Sequence, residues 1–160
     1  MVKKYRKVAV GGTFDLLHKG HICLIKRALE LGDSVIIGLT SDKMLKAHPK
    51  NHPVAPFKER KKVLLNLLNS LNVLERVHIV PLTDPYGPTV ADEEVEALIA
   101  SYETFERGNE INEIRCKRGF KPLKIISIAA ILAEDGVPIS TTRIRRGDID
   151  SEGHASPPKK

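Results

Sequence analysis

The sequence predicts an α/β fold in which helices cover a parallel sheet, and two observations carry this prediction. First, five short apolar segments alternate with five helical patterns along the 160 residues. Second, the segment SVIIGLT (34–40) is β-branched and continuously apolar, as in strands that are buried on both faces of a sheet. Because parallel neighbouring strands need a crossover connection, strict alternation of strand and helix predicts a parallel sheet between helical layers.

The N-terminal half shows the alternation most clearly. Residues 7–11 predict the first strand, and residues 18–31 predict an amphipathic helix with Gly32 at the position of a C-terminal cap. After the strand at 34–40, a loop rich in Lys, Pro and His precedes a second helix at 57–71, whose leucines share one stripe. These segments predict two consecutive pairs of strand and helix.

The C-terminal half continues the pattern in shorter elements. We expect a strand at 76–82, a DPYGP turn, a short helix capped by Asp92 and a brief strand ending at Ser101. A helix at 104–119 closed by Gly119, a strand at 121–130 and a helix at 140–147 are expected to follow. Residues 151–160 are predicted to be a disordered tail, which leaves 1–150 as one domain. The predicted architecture is therefore a single Rossmann-like domain with a five-stranded parallel sheet, strand order 3-2-1-4-5, and helices on both faces.

Composition limits the classes of function. The net charge of +6 favours an anionic ligand, such as a nucleic acid, a nucleotide or a phosphorylated metabolite. The seven aromatic residues offer little surface for stacking single-stranded bases. No apolar run approaches the ~20 residues of a membrane span, and no apolar segment of a signal peptide follows the basic N-terminus. With only two cysteines, we expect a protein of the reducing cytoplasm.

The stretch GGTFDLLHKGH (11–21) follows the first strand and places His18 and His21 three residues apart. At this spacing on a helix the two side chains share one face. A zinc site would need about three or four ligands, and no second cluster of ligands accompanies the histidines. We therefore predict no zinc site at these histidines. Two interpretations stay open: polar side chains that contact only backbone or solvent, and a pair of donors for phosphate.

Gly20 favours the phosphate interpretation. A glycine inside a helix costs up to about 1 kcal/mol relative to alanine, which is explained if an adenine or a ribose packs against this turn. The stretch also lies at the carboxyl end of a predicted parallel strand, where such sheets bind their ligands. The free N–H groups at the start of the following helix are expected to attract an anion.

Two motifs resemble the signatures of the HxGH nucleotidyltransferase superfamily. GGTFDLLHKGH is similar to the first signature, and ISTTRIR (139–145) is similar to the second. The stretches TSDKMLK, PLTDPYGP and INEIRCKRG further resemble the archaeal type of the phosphopantetheine adenylyltransferase family. The resemblance covers residues 5–148. Bacterial members carry threonine where this chain has His18, so bacterial loop details are not transferred.

The resemblance implies transfer of AMP from ATP, with Mg²⁺, to 4′-phosphopantetheine, giving dephospho-CoA and pyrophosphate in coenzyme A biosynthesis. ATP, 4′-phosphopantetheine and the product-like ligands dephospho-CoA and CoA are the expected partners, whereas nucleic acid and membrane are not. The acceptor phosphate is already a nucleophile, so positioning and charge stabilisation suffice for catalysis. Two alternatives remain: a related enzyme acting on nicotinamide mononucleotide or glycerol phosphate, and a basic nucleic-acid-binding protein.

The resemblance also implies roles for individual residues. His18, His21 and Lys46 are expected to act on the reacting phosphates, with Lys43 as the alternative to Lys46. The residues expected to bind the nucleotide are Gly12, Thr13, Phe14, Gly20, Ser140, Thr141, Thr142 and Arg145. Those expected to bind the acceptor are Asp84, Tyr86, Asn112 and Arg115, with a surface ion pair as the alternative for Arg115. Asp15 is expected to orient its loop through backbone hydrogen bonds or, alternatively, to help hold magnesium.

Overall fold

Five parallel strands form one sheet in the order β3-β2-β1-β4-β5. The computed structural model describes residues 3–101 and 104–156. The strands are β1 (Tyr5–Gly12), β2 (Gly32–Thr40), β3 (Val77–Leu82), β4 (Ala97–Ala100) and β5 (Lys124–Ser127). The predicted fold class and strand order are confirmed.

The described residues contain six helices, of which five lie between strands and the last follows β5. They are α1 (Lys19–Leu31), α2 (Asp42–Ala47), α3 (Phe57–Ser70), α4 (Pro88–Ala91), α5 (Arg107–Lys117) and α6 (Thr141–Arg145), with a 3-10 turn at Leu74–Arg76. In the described part of the chain, no helix combines the length and the apolar character that crossing a membrane requires.

The core is divided by the sheet into two layers. Val8 and Val10 of β1 face one layer, in which they pack with Ile25 of α1 and Leu64 of α3. The residue between them on the strand, Ala9, points to the opposite layer, where α4 and α5 supply the covering side chains. This alternation along one strand explains why helices lie on both faces.

Several element bounds differ from the predicted ones. The short helix α4 precedes Asp92 instead of following it, because Pro88 favours the first helical position. The carboxylate of Asp92 is bound to Lys7 at 2.9 Å. The strand predicted at 121–130 is β5, which ends at Ser127. Gly32 ends α1 as predicted, but its backbone is extended and opens β2 directly.

The predicted disordered tail is wrong for residues 151–156. The carbonyl of Ser151 accepts a hydrogen bond from the Lys19 amide at 2.9 Å, and Ile149 and Ala155 form a β-bridge. This segment is therefore folded against the domain. The last four residues of the predicted tail, 157–160, lie outside the described residues.

Arg60 fixes the loops at the carboxyl edge of the sheet from inside the protein. It is 2% exposed, although the sequence places it within an exposed pattern of charges on α3. Its guanidinium donates to the carbonyl oxygens of Thr13, Thr40 and Ala55 at 2.7–2.9 Å and to the carboxylate of Asp42 at 3.1 Å. One buried cation thus joins the ends of β1 and β2 to the start of α3.

Candidate active site

A cavity of about 740 Å³ lies at the carboxyl edge of the sheet. The loop after β1, the loop after β2, the end of β4 and the start of α6 all contribute to its walls. Parallel sheets bind their ligands at this edge. Ten predicted site residues line the cavity: Gly12, Thr13, Phe14, His18, Gly20, His21, Tyr86, Ser140, Thr141 and Thr142.

His18 and His21 form a reciprocal cap at the start of α1. Nδ1 of His18 accepts from the amide of Gly20 at 3.0 Å, and Nδ1 of His21 accepts from the amide of His18 at 3.2 Å. The pattern is that of a capping box, with imidazoles in the positions of the usual hydroxyl and carboxyl groups. The rings stack with their centroids 3.7 Å apart. The cap therefore fixes both rings relative to the helix.

Both rings are neutral at physiological pH. Burial lowers the pKa of His18 to about 4, and burial together with the neighbouring His18 lowers the pKa of His21 to about 3. Burial is the main cause for both rings. Because each Nδ1 accepts a backbone N–H, the remaining proton of each ring lies on Nε2. The pair consequently offers two neutral N–H donors that need not change protonation state.

The backbone donors at the start of α1 are less free than predicted. The Lys19 amide is bound to the Ser151 carbonyl at 2.9 Å, and the Gly20 amide is bound to His18. A phosphate at this helix start would therefore be held mainly by the imidazole Nε2–H groups.

The two glycines predicted to contact the nucleotide make room for protein side chains. A Cβ on Gly20 would lie 2.9 Å from Cε1 of His18, and a Cβ on Gly12 would lie 3.2 Å from Cε2 of Phe14. Gly20 thus permits the His18 ring to fold back over the first turn of α1. The structure supplies this reason for Gly20 without an adenine, although Gly20 does line the cavity.

Asp15 and Arg145 join the two motifs. The carboxylate of Asp15 is 1% exposed and accepts from Nε and Nη2 of Arg145 at 2.9 and 3.0 Å. It also accepts from the amide of Ala55 at 3.1 Å. Burial by itself would raise the pKa of Asp15, but the hydrogen bonds from Arg145 and Ala55 outweigh it and hold that pKa below its usual value. Arg145, predicted to bind nucleotide, is engaged in this pair and does not line the cavity.

The loop that carries Asp15 is strained on both sides. Phe14 and Leu16 have φ angles of +49° and +48°, which residues other than glycine rarely adopt. Such conformations persist where the surrounding contacts determine them, and the Asp15–Arg145 pair provides such contacts.

The second motif begins with a capped turn. Oγ of Ser140 accepts from the Arg143 amide at 3.2 Å and caps α6. The hydroxyl of Thr141 donates to the carbonyl oxygen of Asp15 at 2.7 Å, a second link between the motifs. Ser140 and Thr141 thus have protein partners for their hydroxyl groups, and with Thr142 they form the cavity wall made by α6.

The loop after β2 places a different lysine on the cavity from the one predicted. Lys46 lies on α2 beside a shallow depression next to the cavity, whereas Lys50 lines both the depression and the cavity itself. His48, His52 and Arg107 also line the cavity without having been assigned a role from the sequence. For Lys50, His48 and His52 the sequence offered only the Lys- and His-rich composition of the loop, which does not distinguish one residue from another.

Two of the four predicted acceptor contacts lie near the cavity. Tyr86 lines it, and its hydroxyl donates to Glu110 at 3.1 Å. The carboxylate of Asp84 accepts from the amides of Tyr86 and Gly87, both at 2.8 Å, and so shapes the turn instead of lining the cavity. Asp84 thereby positions Tyr86.

The other two predicted acceptor contacts are structural, contrary to expectation. Asn112 pairs through both ends of its amide with the backbone of Leu123 at 2.7 and 3.0 Å. Arg115 is 1% exposed, so it is neither an acceptor contact nor a surface ion-pair residue. Its guanidinium donates to five carbonyl oxygens, those of Thr89, Asp92, Glu93, Val95 and Lys121, at 2.8–3.2 Å.

The side chains that ligate metal ions in proteins include those of His, Cys, Asp and Glu, which the structure describes in residues 3–101 and 104–156. Within these ranges no three such side chains stand close enough together to hold a metal ion. Asp15, the residue for which a magnesium role was considered, already accepts from Arg145 and Ala55.

The cytidylyltransferase-like family model matches residues 9–147. This chain belongs to the cytidylyltransferase-like family. Both motifs that line the cavity, 11–21 and 139–145, lie within the matched range.

Within the cytidylyltransferase-like family, the chain is similar over nearly its whole length to archaeal proteins named phosphopantetheine adenylyltransferase. The protein of Methanothermobacter thermautotrophicus is 48% identical over 154 residues, which cover 96% of this chain and 92% of that protein. The protein of Methanopyrus kandleri is 47% identical over 147 residues, 92% of each chain. A crystal structure of an Archaeoglobus fulgidus protein of unknown function matches with a TM-score of 0.67 and 37% identity, covering 76% of this chain and 88% of that one.

The neutral state of the two histidines predicts a pH dependence of stability. As pH falls below 6.5, the unfolded chain binds protons at both rings, whereas the folded protein resists protonation until about pH 4 and 3. The free energy of unfolding is therefore expected to decrease steadily from pH 6.5 to 4, measured by urea denaturation. A His18→Asn/His21→Asn variant keeps an acceptor near each Nδ1 position but does not titrate, and it should show a shallower decrease. An equal decrease in both proteins would contradict the assignment.

Arg115 is expected to affect stability and not acceptor binding. Arg115→Met leaves five carbonyl groups without their donor, two of them in fully buried hydrogen bonds, and should lower the free energy of unfolding by at least about 3 kcal/mol. Arg27→Met, which removes an exposed ion pair with Glu30 on α1, is the control and should change it little. A fully stable Arg115→Met protein with a raised KM for the acceptor would restore the acceptor-binding interpretation.

Proposed function

We propose that this member of the cytidylyltransferase-like family transfers AMP from ATP to 4′-phosphopantetheine, giving dephospho-CoA and pyrophosphate. The observation that carries the proposal is the pair of neutral, mutually capped imidazoles on a cavity that the residues at the start of α6 also line. Archaeal relatives with 47–48% identity over most of the chain carry the corresponding name. Dephospho-CoA and CoA should bind the same cavity as product-like ligands.

The reaction requires little acid–base catalysis by the protein. An oxygen of the acceptor phosphate forms a bond to the α-phosphorus of ATP while the bond from that phosphorus to the bridging oxygen breaks, and pyrophosphate leaves with the electron pair. The nucleophile carries its negative charge already, so no general base is required. The protein has to hold two anions together and to stabilise charge on the α-phosphoryl oxygens.

The histidines suit this task because of their fixed tautomer. Nε2–H groups of His18 and His21 would donate to the α- and β-phosphate oxygens. The capping hydrogen bonds hold the rings before the substrate arrives, so little reorganisation accompanies the reaction. Low pKa values keep the rings from acting as acids at neutral pH and leave them as hydrogen-bond donors throughout.

The remaining cavity residues divide between the two substrates. On the nucleotide side we place Gly12, Thr13, Phe14, Gly20, Ser140, Thr141 and Thr142. We propose that Mg²⁺ arrives as part of the ATP complex, bound by phosphate oxygens. Tyr86 would form an apolar wall along the pantetheine arm, fixed by its hydrogen bond to Glu110.

A lysine from the loop after β2 would neutralise the two approaching phosphates, and the structure favours Lys50 over Lys46. Lys50→Ala is expected to lower kcat at saturating substrates by about 100-fold, because the charge matters most when the phosphates meet. Lys46→Ala and Lys43→Ala, which remove lysines of the neighbouring helix α2, should lower it only slightly. If steady-state kinetics place the large loss on Lys46 or Lys43, the original assignment to α2 is correct.

Pyrophosphate release tests the proposed function directly. The folded protein is incubated with ATP and Mg²⁺, and 4′-phosphopantetheine, nicotinamide mononucleotide or glycerol phosphate is added as acceptor. We expect release only with 4′-phosphopantetheine, together with a product of the mass of dephospho-CoA. Release with another of these acceptors would assign a related transferase activity. No release above the level without acceptor would refute the proposal.

A further inference from the structure

Residues 148–156, here called the C-terminal turn, have a defined internal structure. Oδ1 of Asp150 accepts from the amides of Glu152 and His154, both at 2.9 Å, and its carbonyl accepts from the amide of Gly153 at 3.0 Å. The bridge between Ile149 and Ala155 closes the turn. The Asp150 side chain therefore organises the segment in the manner of an Asx-turn.

The C-terminal turn contacts the first motif between its two histidines. The Ser151 carbonyl accepts from the amide of Lys19 at 2.9 Å. Lys19 lies between His18 and Gly20 and opens α1, and its amide has no partner within the helix. The turn thus supplies the one cap of this helix start that the histidines themselves do not provide.

The same turn packs against the segment that carries the second motif. Gly153 is buried, and a Cβ at this position would lie 2.9 Å from Cδ1 of Ile139 and 3.0 Å from the Cα of Ala133. The Gly153 carbonyl accepts from the amide of Glu134 at 2.9 Å. Ile149 completes a small apolar cluster with Ala133 and Ile139. Since Ile139 directly precedes Ser140, this packing helps to position the start of α6, which forms one wall of the cavity.

We propose that the C-terminal turn is a positioning element of the active site, with Asp150 and Gly153 as its positioning residues. It sets the start of α1, and with it the Nε2–H groups of His18 and His21, relative to Ser140 at the start of α6. The inference rests on the proposed function. Misplacement of reacting groups by about 1 Å can cost about 100-fold in rate, so a backbone contact remote from the substrate can control turnover.

Gly153→Ala in the full-length chain tests the proposal, with Gly119→Ala as its matched control. The two glycines have φ angles of +86° and +78°, so a side chain strains the backbone equally at both. Only at Gly153 does the new Cβ meet neighbouring atoms, since nothing lies within 4 Å at Gly119. We expect Gly153→Ala to lower kcat at least about tenfold with little change in KM for ATP, and Gly119→Ala to leave both unchanged.

A second pair of variants covers the case in which Gly153→Ala does not fold. Asp150→Asn keeps the Oδ1 acceptor for the two turn amides, whereas Asp150→Ala removes it. If the turn positions the site, Asp150→Ala lowers kcat and Asp150→Asn restores most of it. Equal kcat in the wild type and in Asp150→Ala, or equal losses in Gly153→Ala and Gly119→Ala, would overturn the proposal.

An NMR readout separates this proposal from the proposed function. The ¹⁵N resonances of the His18 and His21 rings report whether the proton stays on Nε2. We expect Asp150→Ala to shift them and Asp150→Asn to leave them near the wild-type values. Unchanged ring resonances in both variants would refute the positioning role. A wild type without turnover would instead refute the proposed function, and the ring resonances would still decide about the turn.

Discussion

His21→Ala is expected to lower kcat by about 100- to 1,000-fold while ATP affinity changes much less. Removal of one donor to a developing oxyanion typically costs about 2.7–4 kcal/mol of transition-state stabilisation. The structure adds a second reason for a large loss. Nδ1 of His21 also accepts from the His18 amide and its ring stacks on His18, so the substitution frees the second imidazole as well. Single-turnover kinetics and ATP titration measure the two quantities separately.

The control for this experiment is His78→Ala on strand β3. His78 is exposed and does not line the cavity, so turnover should be unchanged. If His21→Ala keeps near-full turnover, His18 and His21 are only polar caps of α1. The phosphate role would then pass to other cavity residues, of which Lys50 is the first to test.

Asp15→Ala should reduce both stability and turnover. It deprives the partly buried Arg145 of its bidentate partner and the Ala55 amide of its acceptor. Removing one partner of a buried ion pair typically costs about 3–5 kcal/mol, because the other charge is left uncompensated. The strained loop that leads to His18 would also lose its anchor. Urea denaturation and kcat at a temperature where the variant is folded measure the two effects.

Comparison variants give this prediction its specificity. Asp33→Ala removes an exposed carboxylate from β2 and should leave stability nearly unchanged. Arg145→Lys keeps the charge but not the two parallel hydrogen bonds, so an intermediate loss is expected. If instead Asp15→Asn is fully stable and only raises the Mg²⁺ concentration needed for half-maximal activity, Asp15 acts on magnesium and not on Arg145.

The sequence by itself determined the sheet, and it located the centre of the candidate site. Apolar segments of β1 and β2 alternate with helical stripes, and these are local patterns that depend on neighbouring residues alone. The position of His18 and His21 could also be predicted locally. A helix that starts directly after a parallel strand begins at the ligand-binding edge of the sheet, whatever the fold of the rest of the chain. The role of Ser140 as the N-cap of α6 could likewise be predicted from the residues of that turn alone.

Only the tertiary structure decided which charged residues are buried and what they bind. Arg60 and Arg115 look like solvent-exposed arginines in sequence, yet each holds backbone carbonyls 20 or more residues away. Arg145 contacts Asp15 across 130 residues, and Ser151 contacts Lys19, which is also far away in the chain. Backbone carbonyls and amides carry no residue-specific signal, so contacts to them leave no motif. Long-range packing therefore determined which arginines and which lysine reach the cavity.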